Sequence, residues 1–261
     1  MDATDSLTAA AADVTNIDTA AKETIPPFLQ AYTPAPTTFD ELWRGQQAAP
    51  SAQLSDAIQP HWQGVIHTFA ALGTDGIANL QQEALRMLRD NGVTYNVHGV
   101  VDGHQRPWPL DLMPLVLTAA DWVAIAAGVQ QRAHLLNLIL ADLYGARTLL
   151  RQGLLPPELI YGHHGFLRAC HGVQLPGKTQ LLLYAADLTR RPDGRMWVLG
   201  DRTQAPSGAG YALENRTVMA RLLRGAFRDG KIERLANFFA RSKVHWQNIR
   251  FNTRKRRARW C

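Results

Sequence analysis

Residues 181–208 constrain the fold more than any other part of the chain. Two apolar runs flank Pro192, Asp193 and Gly194, and each carries a lone carboxylate, Asp187 in the first and Asp201 in the second. Proline presets φ at the first turn position, aspartate tolerates the second, and glycine takes the left-handed third. That is the chemistry of a three-residue hairpin loop with a glycine bulge. With such a loop Arg191 faces Arg195, and odd-numbered residues pair with odd-numbered ones. Side chains alternate faces along a strand, so Asp187 and Asp201 are expected on one side of the ribbon, set diagonally. A two-residue Asp193–Gly194 loop would put them on opposite sides; proline at the first loop position favours the longer loop. Two carboxylates on one sheet face repel unless a cation lies between them, and oxygen ligands of this kind suit Mg²⁺. The plainer reading is two aspartates solvated at strand ends.

Length and charge bound the rest. A chain of 261 residues, 46% hydrophobic and 19% charged, can bury a real core in one large domain or two small ones. Two cysteines, Cys170 and Cys261, make no disulfide framework. The first residues carry neither a basic nor an apolar signal region, and the most apolar window, 110–129, is interrupted by Asp111, Pro114 and Asp121. A cytoplasmic protein with no membrane partner is the expectation. The net charge of +6 is local. Eight of the 28 basic residues fall in 241–261, which holds no acid, leaving 20 basic against 22 acidic residues elsewhere.

Along the chain, residues 1–36 read as a disordered leader, 37–240 as the folded module, and 241–261 as a disordered basic tail. A short amphipathic piece carries Phe39, Leu42 and Trp43. A helical pattern over 54–72 is interrupted by Pro60; Ile77, Leu80, Ala84, Leu85 and Leu88 continue at helical spacing to a cap at Asn91–Gly92. Residues 93–97 read as a strand, Asp102–Gly103 as a turn, and 106–109 as extended because of two prolines. Thr118 and Asp121 open the strongest helix, with Trp122, Ile125, Val129, Leu136, Ile139, Leu140 and Leu143 on one side and Gly145 at its end. After the hairpin, 215–228 reads as a helix with Val218, Leu222 and Leu223 inward, and Ile232, Leu235, Phe238 and Phe239 suggest another. Helices before and after a few strands point to an α+β arrangement.

Three constellations compete with the hairpin for chemistry. His163, His164, Cys170 and His171 match no familiar zinc spacing, and loop histidines satisfied by backbone are the better account. The small-residue loop 205–210 leads toward a helix near Asn215–Arg216, and a helix start is a natural anion seat to which Arg202 or Arg216 could add donors. A tight turn that needs glycine explains the loop equally well. The run from Arg254 to Arg259, with Trp246, Phe251 and Trp260 interleaved, offers a nucleic-acid contact. This gives the second functional reading, a non-enzymatic binding protein with a basic tail, although a tail without a partner is favoured over it.

Taken together, several strings resemble the circularly permuted type 2 ATP-grasp family: 91–96, 106–111, Gly165 to Arg168 with Cys170 to Gly172, and above all the long string from Asp201 to Arg216. The resemblance covers most of 37–240. It implies a partial ATP-grasp-like α+β fold, helices packed around a small, mainly antiparallel sheet. It implies ATP and Mg²⁺ as cofactors, and the ATP-dependent joining of a carboxylate to an amine through an acyl phosphate. In the family one carboxylate stands on a strand and a carboxylate-x-Asn follows on the next. Asp187 and Asp201 match the carboxylates, and Thr203 stands where Asn is usual. By the same resemblance Arg202, Asn215 and Arg216 are the catalytic candidates, and Ser207 and Gly208 bind the nucleotide. The family's later part, with its flexible loop and ATP-holding lysines, has no counterpart in 217–261. A truncated or frameshifted chain, inactive alone, is therefore expected.

Overall fold

Pro60 starts a helix rather than interrupting one. The computed structural model describes residues 25–33, 35, 37–43, 57–95, 106–175 and 179–257, which divide into two compact units. The first unit comprises 1–116, 191–194 and 217–232. Its first described helix is α1 (Pro27–Gln30), and it is built around α2 (Pro60–Asp90). Proline at the first helical position loses no hydrogen bond, since that N–H has no partner in the helix anyway. Gly73, at φ +62°, kinks α2 part-way along. At the far end Gly92 takes φ +68°, and the Val93 N–H donates to the Leu88 carbonyl at 2.8 Å, the glycine cap expected there.

Two apolar clusters fill this unit. Ile25, Leu29, Trp43, Ile58, Trp62 and Ile66 form one of them. The second gathers Phe69, Ala84 and Leu88 from α2, Leu110 and Leu112, and Val218, Met219 and Leu223. The inward set expected after the hairpin is thus observed, with Leu222 packed at its margin. A ribbon of β1 (Thr94–Tyr95) and β2 (Arg106–Pro107) pairs antiparallel, Thr94 opposite Pro107. The expected Asp102–Gly103 turn lies outside the described residues, as do most of the expected leader and residues 258–261.

The second unit, 117–190, 195–216 and 233–261, is organised by α3 (Ala119–Leu143). Thr118 caps α3 as expected, its hydroxyl accepting from the Asp121 N–H at 3.0 Å. At the other end a Cβ on Gly145 would come within 2.8 Å of the Ala141 carbonyl oxygen, so only glycine fits. Two short helices follow, α4 (Thr148–Arg151) and α5 (Pro157–Tyr161), then a 3₁₀ turn at Arg168–Cys170. The ribbon of β3 (Ala185–Arg190) and β4 (Met196–Arg202) leads into α6 (Ala209–Leu222), whose second half belongs to the first unit. The first unit also holds α7 (Arg224–Asp229), and α8 (Ala236–Arg257) closes the described chain.

The architecture is α+β, with small antiparallel ribbons, as the order of elements implied. Two helix readings change. The helix expected at 215–228 begins six residues earlier, at Ala209, and breaks at Leu223. The expected apolar side of α3 is only partly covered: Ile125 and Leu143 are buried, Val129, Leu136, Ile139 and Leu140 are half-buried, and Trp122 is 56% exposed. Periodicity reports which residues share a face, and something must pack on that face to bury it. Also, α8 continues as helix through 241–257, the stretch read as a tail.

Candidate functional site

The β3–β4 turn is built as its residues dictate. Gly194 takes φ +80° and its N–H donates to the Arg191 carbonyl at 2.8 Å. A Cβ there would approach the Phe39 ring to 3.0 Å. Arg190 pairs with Met196, Thr189 with Trp197 and Leu188 with Val198, the register of a three-residue loop. Beyond Leu188 the register shifts by one: Asp187 pairs with Gly200 and Ala186 with Asp201. Leu199 is the extra residue, a β-bulge. Cross-strand partners share a face and neighbours along a strand do not. Asp187 and Asp201 therefore fall on opposite faces of the ribbon, contrary to the expectation from loop length. Turn chemistry sets the register at the turn only; an inserted residue further along reverses it.

Each aspartate meets an arginine. Arg132, from the middle of α3, grips Asp201 with two parallel bonds, Nε to Oδ1 at 2.6 Å and Nη2 to Oδ2 at 2.7 Å. The Tyr184 hydroxyl donates to the same Oδ1 at 2.5 Å. Charge-assisted bidentate bonds are the stronger class of hydrogen bond. The Arg132 bond, then the Tyr184 bond, hold the Asp201 carboxyl below the usual carboxylate range. Desolvation, followed by the bond to Asp201, pushes the Tyr184 phenol up to about 12. On the other face, Arg202 Nε donates to Asp187 Oδ2 at 2.9 Å. Helix α3 fastens the hairpin at two further points. Arg190 lies 3.7 Å from Asp121, and Asn137 Oδ1 accepts from the Gln180 and Leu181 N–H groups at 2.8 and 3.0 Å.

Arg132, Tyr184 and Asn137 were not singled out from sequence. Asp121 and Arg132 are eleven residues apart, three helical turns, so they share a face of α3; nothing local says that a strand 69 residues later meets it.

From Arg202 the chain runs through an exposed loop, 203–208, into α6. Ala205 and Gly208 take positive φ, +42° and +107°. The Ala212 N–H donates to the Gly208 carbonyl at 3.0 Å, so Gly208 is the residue that caps the start of α6. A 14-residue helix presents its first-turn amides there. Asn215 and Arg216 lie well inside the helix, not at its start as expected. Gln204 turns toward the preceding segment: a Cβ on Gly165 would meet its Nε2 at 2.9 Å and the His163 ring at 3.0 Å.

The carboxylates are the right ligands in kind for Mg²⁺. In this arrangement they do not converge on one cation, and an ion at either would have to displace a guanidinium. Among the described residues no group of three or more His, Cys, Asp or Glu side chains could hold a metal, and no helix is long and apolar enough to cross a membrane.

Comparison with known proteins places this geometry in context. An uncharacterized protein of Mycobacterium tuberculosis is 42% identical over 174 residues, 62% of this chain and 19% of the relative. An uncharacterized protein of Synechocystis is 32% identical over 193 residues, 73% of this chain and 38% of the relative. A Frankia alni protein provisionally named glutamate–cysteine ligase 2-3 is 32% identical over 200 residues, 76% of this chain and 21% of the relative. The chain thus matches only a minor part of the length of these relatives. The sequence model of one family, circularly permuted ATP-grasp type 2, matches residues 114–259. That match crosses the change of composition near residue 240, where the family-like text was expected to stop. ATP-grasp proteins generally use ATP and Mg²⁺. The matched stretch contains α3, the hairpin with its Arg132–Asp201–Tyr184 clamp, and the loop into α6; the chain belongs to the circularly permuted ATP-grasp type 2 family.

Proposed function

We propose that this chain contributes one wall of the active site of an ATP-dependent carboxylate–amine ligase. The supporting observation is the β4–loop–α6 unit within the family match: a strand held by Arg132, a small-residue loop at 203–208, and the start of a 14-residue helix. Such a start favours an anion, because its first-turn N–H groups and the helix dipole point the same way. In this reading Ser207 and Gly208 line the nucleotide phosphates, while Arg202, Asn215 and Arg216 serve substrate or the transferring phosphoryl group.

The chemistry is two displacements. A substrate carboxylate oxygen attacks the γ-phosphorus of ATP and ADP leaves, giving an acyl phosphate. The amine then attacks the acyl carbon and loses a proton as the acyl C–O bond breaks and inorganic phosphate leaves. Preorganised donors that meet charge as it develops lower both barriers. Magnesium, when bound, would neutralise phosphate charge. Asp187, Asp201 and Thr203 are its candidate ligands by family pattern, and using both aspartates for one ion requires the bulged register at Leu199 to shift as well as the Arg132 and Arg202 pairs to open. Alone, the chain is read as inactive.

Hydroxylamine trapping tests the reading. The Mycobacterium relative, given Mg-ATP, a carboxylate and hydroxylamine, is expected to release ADP and accumulate a hydroxamate; the 261-residue chain is expected to do neither. No hydroxamate from the relative with any carboxylate–amine pair overturns the ligase reading. Turnover by the chain alone overturns the inactivity.

A further inference from the structure

A second charged cluster lies in residues 142–168. Arg147 and Arg168 both stand over the ring of Tyr161, their guanidinium carbons 6.0 and 5.6 Å from its centroid. Two guanidiniums within 6.0 Å of one ring centre repel, and neither forms an ion pair with a carboxylate among the described residues. The acid nearest Arg147 in sequence, Asp142, is committed elsewhere: its two oxygens accept the Thr148 and Leu149 N–H groups, each at 2.9 Å. Arg147 Nε is closed off from solvent with no acceptor. A buried donor left without an acceptor is costly.

The backbone holds this arrangement under strain. Arg147 takes φ +56°, a left-handed conformation disfavoured for a side chain of this size, with its N–H bonded to the Asp142 carbonyl at 2.8 Å. Behind Tyr161, Phe166 meets it edge-on and stacks on Tyr144. In the same segment His163 Nδ1 accepts from the Gly165 N–H at 3.0 Å.

We propose that Arg147 and Arg168, over Tyr161, form a binding site for an oxyanion group, a phosphate or a carboxylate. Such a ligand would offset the charge of both guanidiniums at Tyr161, and its paired oxygens match the guanidinium fork. The site uses none of the residues of the hairpin clamp and stands whether or not the chain serves a ligase.

Calorimetric titration of the intact chain with pyrophosphate and, separately, with succinate tests this. One saturable site per chain is expected, weakened by salt. R147Q and R168Q should each weaken it by about tenfold or more, the loss of one charge-assisted bond. R151Q, which removes a neighbouring charge outside the cluster, should leave it nearly unchanged. Tighter pyrophosphate assigns a phosphate ligand, and tighter succinate a carboxylate. Arg168 is exposed, so R168Q tests the site even where R147Q disturbs the turn. No saturable binding by either probe, or binding that R168Q leaves unchanged in a folded chain, overturns the proposal. Neither readout involves ATP turnover, so it fails or stands apart from the ligase reading.

Discussion

The two units are stabilised in different ways. Among the described residues seventeen apolar ones are buried; fifteen of them lie in the first unit and two, Ile125 and Leu143, in the second. The second unit exposes Trp122, Leu135, Leu138, Trp197 and Leu199, and is tied together by polar fastenings instead: Arg132 to Asp201, Arg190 to Asp121, Asn137 to the 180–181 backbone. Apolar burial is non-directional and scales with area, whereas a bidentate ion pair fixes one geometry and contributes little net stability near solvent. The first unit is therefore expected to carry stability, and the second to carry a defined arrangement of charges.

Core truncation is the harshest way to break this contrast. Leu88 and Ile66 are fully buried, and Leu88→Ala or Ile66→Ala should each cost about 2–5 kcal/mol in urea unfolding. Leu135→Ala, at an exposed position on α3, should change the midpoint little. Equal losses at the two sites would erase the distinction.

Next in size is Gly194→Ala. It forces a side chain into φ +80° against Phe39 at 3.0 Å, and should cost about 1–2 kcal/mol. A neutral result would show that the turn tolerates another conformation.

A smaller and more local effect is expected of Asp201→Asn. It weakens the Arg132 and Tyr184 bonds, so amide exchange over 184–202 should quicken while exchange in α2 stays slow. In the first unit the Tyr32 hydroxyl donates to Asp40 at 2.8 Å, as Tyr184 does to Asp201 at 2.5 Å in the second, and both phenols are raised to about 12. In an absorbance titration Asp201→Asn should return one tyrosine toward 10 and leave the other near 12.

The weakest effect is on stability against pH. Asp201 has a lowered folded value, so its contribution is present above the unfolded carboxylate range, near about 4, and is lost as pH falls through the folded value. Tyr184 has a raised one, so its contribution is present below about 10 and lost as pH rises through about 12. Wild type minus Asp201→Asn should show both limbs in thermal midpoints; a flat difference would mean that the pair contributes nothing.

How much could be foreseen follows the range of the interaction. The Thr118 cap, the Gly92 cap and the Gly194 turn each rest on bonds spanning three to five residues, and each was readable where it stands. The inward face around Val218 and Leu223 followed from periodicity. The exposed Trp122 did not, because periodicity is silent about what covers a face. Loop length gave the right register at Arg190 and Met196, yet the bulge at Leu199 separated the two aspartates.

By itself the sequence determined the family, the α+β class, the hairpin turn and the residues that bear charge, because these depend on local chemistry or on long matching strings. Only the tertiary structure decided what each charge meets. Arg132 reaches Asp201 across 69 residues, and Arg147 and Arg168 converge on Tyr161 from a left-handed residue ahead of α4 and from the 3₁₀ turn. Partners brought together by folding leave no mark in the spacing of either one.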